Sequence, residues 1–208
     1  MRAGAEVLVL GVGNILWADE GFGVRAVERL AAGWTMPEGV DIMDGGTQGL
    51  ALVNEISEAR RILLLDAVDV GLAPAELVTV RGDEVPKFAV GKKMSLHQTS
   101  MMELLALAEF MGGAPEAITL IGCQPVELED YGGGLTPEVA AQLAPAVELA
   151  VAELNAWGFA PVRGGVEIDT LMPSAVAQTP YESNRPDEQR ACRIGDDRVL
   201  ARSNFEGS

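Results

Sequence analysis

Five short apolar runs, Val7 to Leu10, Val40 to Met43, Ile62 to Leu65, Leu77 to Val80 and Ala117 to Cys123, recur along the chain, most of them separated by stretches of helical spacing. A chain so punctuated is expected to form a parallel sheet covered on both faces by helices. Val24, Val27 and Leu30 recur at helical spacing before Gly33, which supplies a stop. Further helices are expected over roughly 48–57, from His97 onward with Met101, Leu104, Leu105 and Ala108 on one face, and over Pro137 to Asn155. Ile62-Leu-Leu-Leu65 is apolar without alternation, as a strand buried on both faces must be, and Asp66 closes it where packing alone gives no reason for a carboxylate.

With 208 residues, 48% of them hydrophobic, one good core can be buried and one domain is expected. The formal net charge of −16 opposes nucleic acid or an anionic membrane as partner, since both are themselves negative. Cys123 and Cys192 make neither a CxxC pair nor zinc-type spacing, so no disulfide framework or structural zinc is indicated. No apolar run approaches the ~18 residues a membrane helix needs, and the first residues lack a signal-peptide pattern. A cytoplasmic monomer is the expectation. From Ala160 the chain loses apolar periodicity; the extension carries six Arg and eight acids, leaving nine basic and 23 acidic residues in 1–159. We therefore expect a folded domain over 1–159 and a flexible C-terminal extension over 160–208.

The turn Gly11-Val-Gly-Asn-Ile-Leu-Trp-Ala-Asp-Glu-Gly-Phe-Gly23 follows the first strand and invites comparison with a dinucleotide loop. The third glycine of that fingerprint is missing, because position 16 is leucine. Asp19 and Glu20 would also repel a phosphate at the helix start. Taken singly, Asp19 suits a helix cap and Glu20 a favourable charge for the helix dipole. Their setting adds more, because ligand sites of open parallel sheets gather beyond the carboxyl ends of the strands. Glu20 follows the first strand, Asp44 the second, Asp66 ends the third, and His97 opens a later helix. Carboxylates meeting in a desolvated crevice repel one another unless a cation compensates. Two oxygen ligands with one imidazole suit a divalent transition metal such as nickel or zinc better than magnesium or calcium. A histidine near a helix N-terminus is also helped to stay neutral, the form that ligates.

The blocks Gly11 to Arg25, Asp44-Gly-Gly-Thr-Gln-Gly49, Leu65-Asp-Ala67, Lys93-Met-Ser-Leu-His-Gln98 and Gly122-Cys-Gln-Pro125 occur in this order, and with them the chain resembles the hydrogenase maturation endopeptidases. The resemblance covers roughly residues 5 to 158 and looks strongest to members serving uptake, membrane-bound nickel-iron hydrogenases. It implies a three-layer α/β sandwich with a twisted, mostly parallel sheet of about five strands. It implies an endopeptidase that removes a C-terminal extension from the hydrogenase large-subunit precursor after nickel insertion, with nickel brought by that precursor and no organic cofactor. Glu20, Asp66 and His97 fall where the family has its nickel-contacting residues, and Asp44 falls in the block thought to matter for cleavage. Nickel could act on the scissile bond or serve only as a recognition tag, and Asp44 could orient water or support a ligand. The family tends to end soon after the last core helix, whereas this chain runs on to Ser208.

Three other chemistries compete for these residues. There is no Gly-x-Ser-x-Gly elbow for a serine hydrolase. The block at Asp44 is Asp-Gly-Gly rather than the Asp-Thr-Gly or Asp-Ser-Gly of pepsin-like enzymes. A Cys123–His97 peptidase is expected to fail because Cys123 ends an apolar strand as a small buried hydrophobe. The non-enzymatic alternative is a nickel-sensing chaperone for the same precursor.

Overall fold

A computed structural model describes residues 5–85 and 101–164, with the backbone alone for 101–104. Five strands form one sheet: β1 (Val7–Val12), β3 (Val40–Gly46), β4 (Arg61–Ala67), β5 (Leu77–Arg81) and β6 (Ala117–Cys123), in the order β3-β1-β4-β6-β5. β1 pairs in parallel with β3 and β4, β4 pairs in parallel with β6, and β5 runs antiparallel to β6 at the edge. The expected mostly parallel sheet of five strands is borne out. From β1 the chain goes to one side of the sheet for β3 and returns to the other for β4, so the order reverses around β1. The strand ends at such a reversal leave a crevice, the usual place for a site in this architecture.

Alternation along the strands divides the core into two layers. Val7, Val9, Leu63 and Leu65 face α1 (Phe22–Gly33), whose Phe22, Ala26, Val27 and Leu30 are fully buried, and α5 (Leu143–Ala156), which adds Ala146, Ala150 and Leu154. Leu8, Leu10, Ile62, Leu64 and Leu120 face the opposite layer, where α2 (Val53–Glu58) contributes Ile56 and α3 (Met101–Phe110) contributes Ala108 and Leu105. Of the apolar face expected for α3, Leu105 and Ala108 pack as anticipated. Helices on both faces of the sheet make the three layers.

Three boundaries depart from the sequence expectation. The helix expected over 48–57 begins as a 3-10 turn, Gly49–Leu52, and becomes α-helical only over Val53–Glu58. The helix expected from Pro137 to Asn155 is two, α4 (Pro137–Ala140) and α5, because the ring of Pro145 cannot follow a helical carbonyl at residue 141. A two-stranded antiparallel ribbon joins β2 (Trp34–Thr35) to β7 (Val162–Arg163), past the boundary expected at 159. Arg163 lies 4.7 Å over the Trp34 ring and pairs with Glu148 at 2.6 Å. Two residues per strand are too few for periodicity to announce. Residues 165–208, most of the expected extension, lie outside the described residues.

Candidate functional site

The site is built on glycines that bring backbones into contact. A Cβ at Gly23 would lie 2.1 Å from the Leu65 carbonyl oxygen and 2.3 Å from that of Val12. One at Gly11 would meet the Gly23 oxygen at 2.5 Å, and one at Gly13, whose φ is +137°, would meet the Glu20 oxygen at 1.8 Å. The glycines after β1 therefore draw the start of α1 onto the end of β4, which answers what this turn does without a phosphate. Between them, the short 3-10 helix Ala18–Gly21 carries Asp19 and Glu20 inward, both buried. Ala18 holds a left-handed φ of +38°, a strained conformation for a residue with a side chain, directly before this pair.

Glu20 lies close enough to Asp66 for its charge to act on that carboxyl. Asp66 is fully buried, and among the described residues neither of its carboxylate oxygens meets a donor at hydrogen-bonding geometry. Burial pushes its carboxyl well above the usual range; the nearby Ala67 amide opposes this and the charge of Glu20 adds to it. Glu20 is only 2% exposed. Two buried acids that act on each other's charge are a costly arrangement for a chain by itself. Among the described residues no group of three potential ligands assembles a metal site. His97 lies outside those residues.

Asp44 occupies a different place. β1 separates its strand from β4, with Gly11 opposite both Asp44 and Leu65, so Asp44 and the end of β4 are two strand spacings apart, roughly 10 Å. By alternation Asp44 shares a face with Val40 and Ile42, towards α1, while Asp66 shares a face with Ile62 and Leu64, towards α2 and α3. Asp44 accepts a 2.8 Å hydrogen bond from the Gly46 amide. Burial raises its carboxyl above the ordinary value, opposed by that amide and by the charge of Arg25.

Arg25 was not anticipated from sequence. It is 3% exposed on α1, pairs with Glu28 at 2.9 Å and supplies a buried positive charge within reach of Asp44. An arginine between Val24 and Ala26 on the apolar side of a helix was the available signal. Asp19 requires a correction. The N-cap of α1 is Gly21, with no side-chain cap bond, and Asp19 does not serve that helix. Its carboxylate instead accepts from the amides of Val126 and Glu127 at 2.9 Å and of Thr136 at 2.7 Å, and from the Thr136 hydroxyl at 3.0 Å. Those partners are more than a hundred residues away, where no local rule could point.

Gln124, within the block Gly122-Cys-Gln-Pro125, has a comparable part. Its Oε1 accepts from the Val70 and Leu72 amides at 2.9 and 3.1 Å, and its Nε2 donates to Asp69 at 2.9 Å. Cys123 is fully buried, its thiol pushed up to about 12 by burial and then by the charge of Asp19. A thiol so disinclined to ionise is a poor nucleophile, in agreement with the expectation that Cys123 packs rather than reacts.

The sequence model of the family described as hydrogenase maturation protease matches residues 24–153. The hydrogenase expression/formation protein HupD of Rhodobacter capsulatus is 54% identical over 195 residues, covering 94% of this chain and 93% of its own. The hydrogenase 2 maturation protease of Escherichia coli is 40% identical over 154 residues, covering 74% of this chain and 93% of its own. The solved structure of the hydrogenase maturating endopeptidase HybD from E. coli superposes with a TM-score of 0.71 at 38% identity, covering 76% of this chain and 97% of that one. The match to HupD reaches well into 160–208, so the extension taken from the resemblance to be unusual is shared with that relative.

Proposed function

The chain belongs to the hydrogenase maturation proteases, hydrolases of peptide bonds, and on that premise we propose that it recognises its substrate through nickel the substrate already carries. The substrate is the large-subunit precursor of a nickel-iron hydrogenase, and the peptide removed is its C-terminal extension. The observation that carries this reading is the buried Asp66 carboxylate, without a hydrogen-bond donor among the described residues, with Glu20 beside it. Such a pair gains most from a client that arrives with a divalent cation, and His97 would complete the grip. A precursor without metal brings no compensating charge, so the pair would resist its approach. Cleavage thereby waits for metal insertion.

At the site, Glu20 and Asp66 hold the substrate's ion and thereby orient the polypeptide bonded to it. A divalent ion so held can polarise a carbonyl or acidify a bound water. Asp44, at the end of β3 with Arg25 behind it, is assigned the orientation of that water or the support of a ligand. Gly45 packs against Leu10, Gly11 and Leu52, whereas a side chain at Gly46 would meet only Asp44, so it is Gly46 that gives an extended peptide room to approach. We place the reaction in the cytoplasm with the enzyme as a monomer. No helix among the described residues is long and apolar enough to cross a membrane.

The experiment mixes the purified protein with nickel-loaded and nickel-free precursor and follows the size of the large subunit. Shortening of the loaded form alone is expected. Shortening of both forms would remove nickel recognition, and binding without shortening would favour a nickel-sensing chaperone.

A further inference from the structure

One short segment is held by the buried side chain of Asp19 and in turn holds, through the buried side chain of its own Gln124, the loop that leaves β4. The segment is Gln124-Pro-Val-Glu127, which continues β6 past its carboxyl end. From one side Asp19, fully buried, takes the Val126 and Glu127 amides on one oxygen at 2.9 Å each and the Thr136 amide on the other at 2.7 Å. The Thr136 hydroxyl lies 3.0 Å from both oxygens. Backbone bonds repeat the connection, from the Asp19 amide to the Glu127 carbonyl and from the Ala18 amide to the Gly133 carbonyl, both 3.1 Å. From the other side Gln124 holds the loop that leaves β4, through Asp69, Val70 and Leu72. The Ala75 amide donates to the Gln124 carbonyl and the Gln124 amide to the Glu76 carbonyl, each at 2.9 Å.

We propose that Asp19 and Gln124 are positioning residues that set the separation of Glu20 and Asp66. Asp19 is bonded in sequence to Glu20, and the loop held by Gln124 begins two residues after Asp66. With Gln124-Pro-Val-Glu127 as the common anchor, the 3-10 turn carrying Glu20 and the strand end carrying Asp66 are referred to one rigid piece of backbone. The strained Ala18 is consistent with this, since a left-handed alanine persists only where its surroundings over-determine it. Charge-assisted bonds to a buried carboxylate are among the stronger ones available for the purpose. Neither residue touches the substrate; each acts through the acid it places. A displacement of about 1 Å between groups that must hold one ion is enough to lose a large share of rate.

The inference rests on the reading of Glu20 and Asp66 as the grip on substrate-borne nickel, and its test separates the two. Asp19→Asn turns one acceptor oxygen into a donor facing donors, Gln124→Glu removes the bond to Asp69 and sets two acids together, and Thr136→Val removes one hydroxyl only. For each variant, kcat and KM for nickel-loaded precursor are measured per folded molecule, well below its melting temperature. The expected result is a kcat at least tenfold lower for Asp19→Asn and Gln124→Glu, with Thr136→Val intermediate. Wild-type kcat in folded Asp19→Asn and Gln124→Glu would overturn the positioning role while leaving the nickel reading intact. If the unmodified chain leaves loaded precursor uncut, the peptidase reading fails, and the variants are compared by metal binding instead of rate. Calorimetric titration of the isolated chains with nickel(II) then decides the positioning role: affinity at least tenfold weaker in both variants supports it, and unchanged affinity overturns it.

Discussion

Asp66 is held in a state that suits a ligand better than it suits the chain alone. Its carboxyl is raised by burial, so the folded form keeps a proton that the unfolded form releases. The stability tied to that proton is fully present below the ordinary carboxyl value of 3.8 and is lost as pH rises towards the folded value. Asp66→Asn removes the titration, so its melting temperature is expected to exceed that of the parent by an amount that grows as pH rises above 3.8 towards the folded value. About 1 kcal/mol of relief would appear as roughly 2–4 °C in a chain of this length. Processing of nickel-loaded precursor should be lost in the same variant. Calorimetric melting across that range checks the first expectation, and a variant that melts below the parent at pH 8 would contradict it. The carboxylates of the site could be read from strand ends, but their roles could not. Glu20 and Asp19 are neighbours in sequence and both buried, and only the distant amides of 126, 127 and 136 mark Asp19 as the one committed to the frame.

At the scale of elements, the antiparallel edge strand β5 is fastened to α5 by one acid. Glu153 accepts from Arg81 at 2.7 Å and from the Thr119 hydroxyl at 2.8 Å. Burial would raise its carboxyl, but the Arg81 and Thr119 bonds together with the Arg81 charge outweigh that and hold it below the ordinary value. A depressed carboxyl stabilises the fold above its unfolded value of 4.5, and that contribution disappears as pH falls through the folded value. Glu153→Gln should therefore cost about 1 kcal/mol at pH 7, a figure kept low because the Arg81 side chain is 62% exposed to screening solvent. The difference from the parent should close as pH falls from 4.5 through the folded value; chemical denaturation at pH 7 and along that fall measures it. Strand runs were legible here because buried parallel strands are apolar throughout. The break before α5 was legible in principle, at Pro145, and was overlooked because the apolar spacing continues across it.

For the molecule as a whole, the topology has the crevice where the chain order reverses around β1, and the acids found from sequence sit along that edge. What sequence could not supply was depth: which acids face which layer, and that Asp44 and Asp66 stand on opposite faces two strands apart. The extension beyond Gly164 belongs to another category. HybD of E. coli is covered over 97% of its chain by 76% of this one, so that endopeptidase has no counterpart to most of these residues. A chain ending after Gly164, which retains β7, is accordingly expected to shorten nickel-loaded precursor at a rate within about twofold of the full chain, judged by initial rates. A large loss would give the extension a part in handling the client. The contact of Gly23 with the Leu65 carbonyl has a mechanical meaning as well. Two main chains that already touch can be parted by thermal motion but cannot be squeezed nearer, so the crevice beside them is stiff against compression and yielding against expansion.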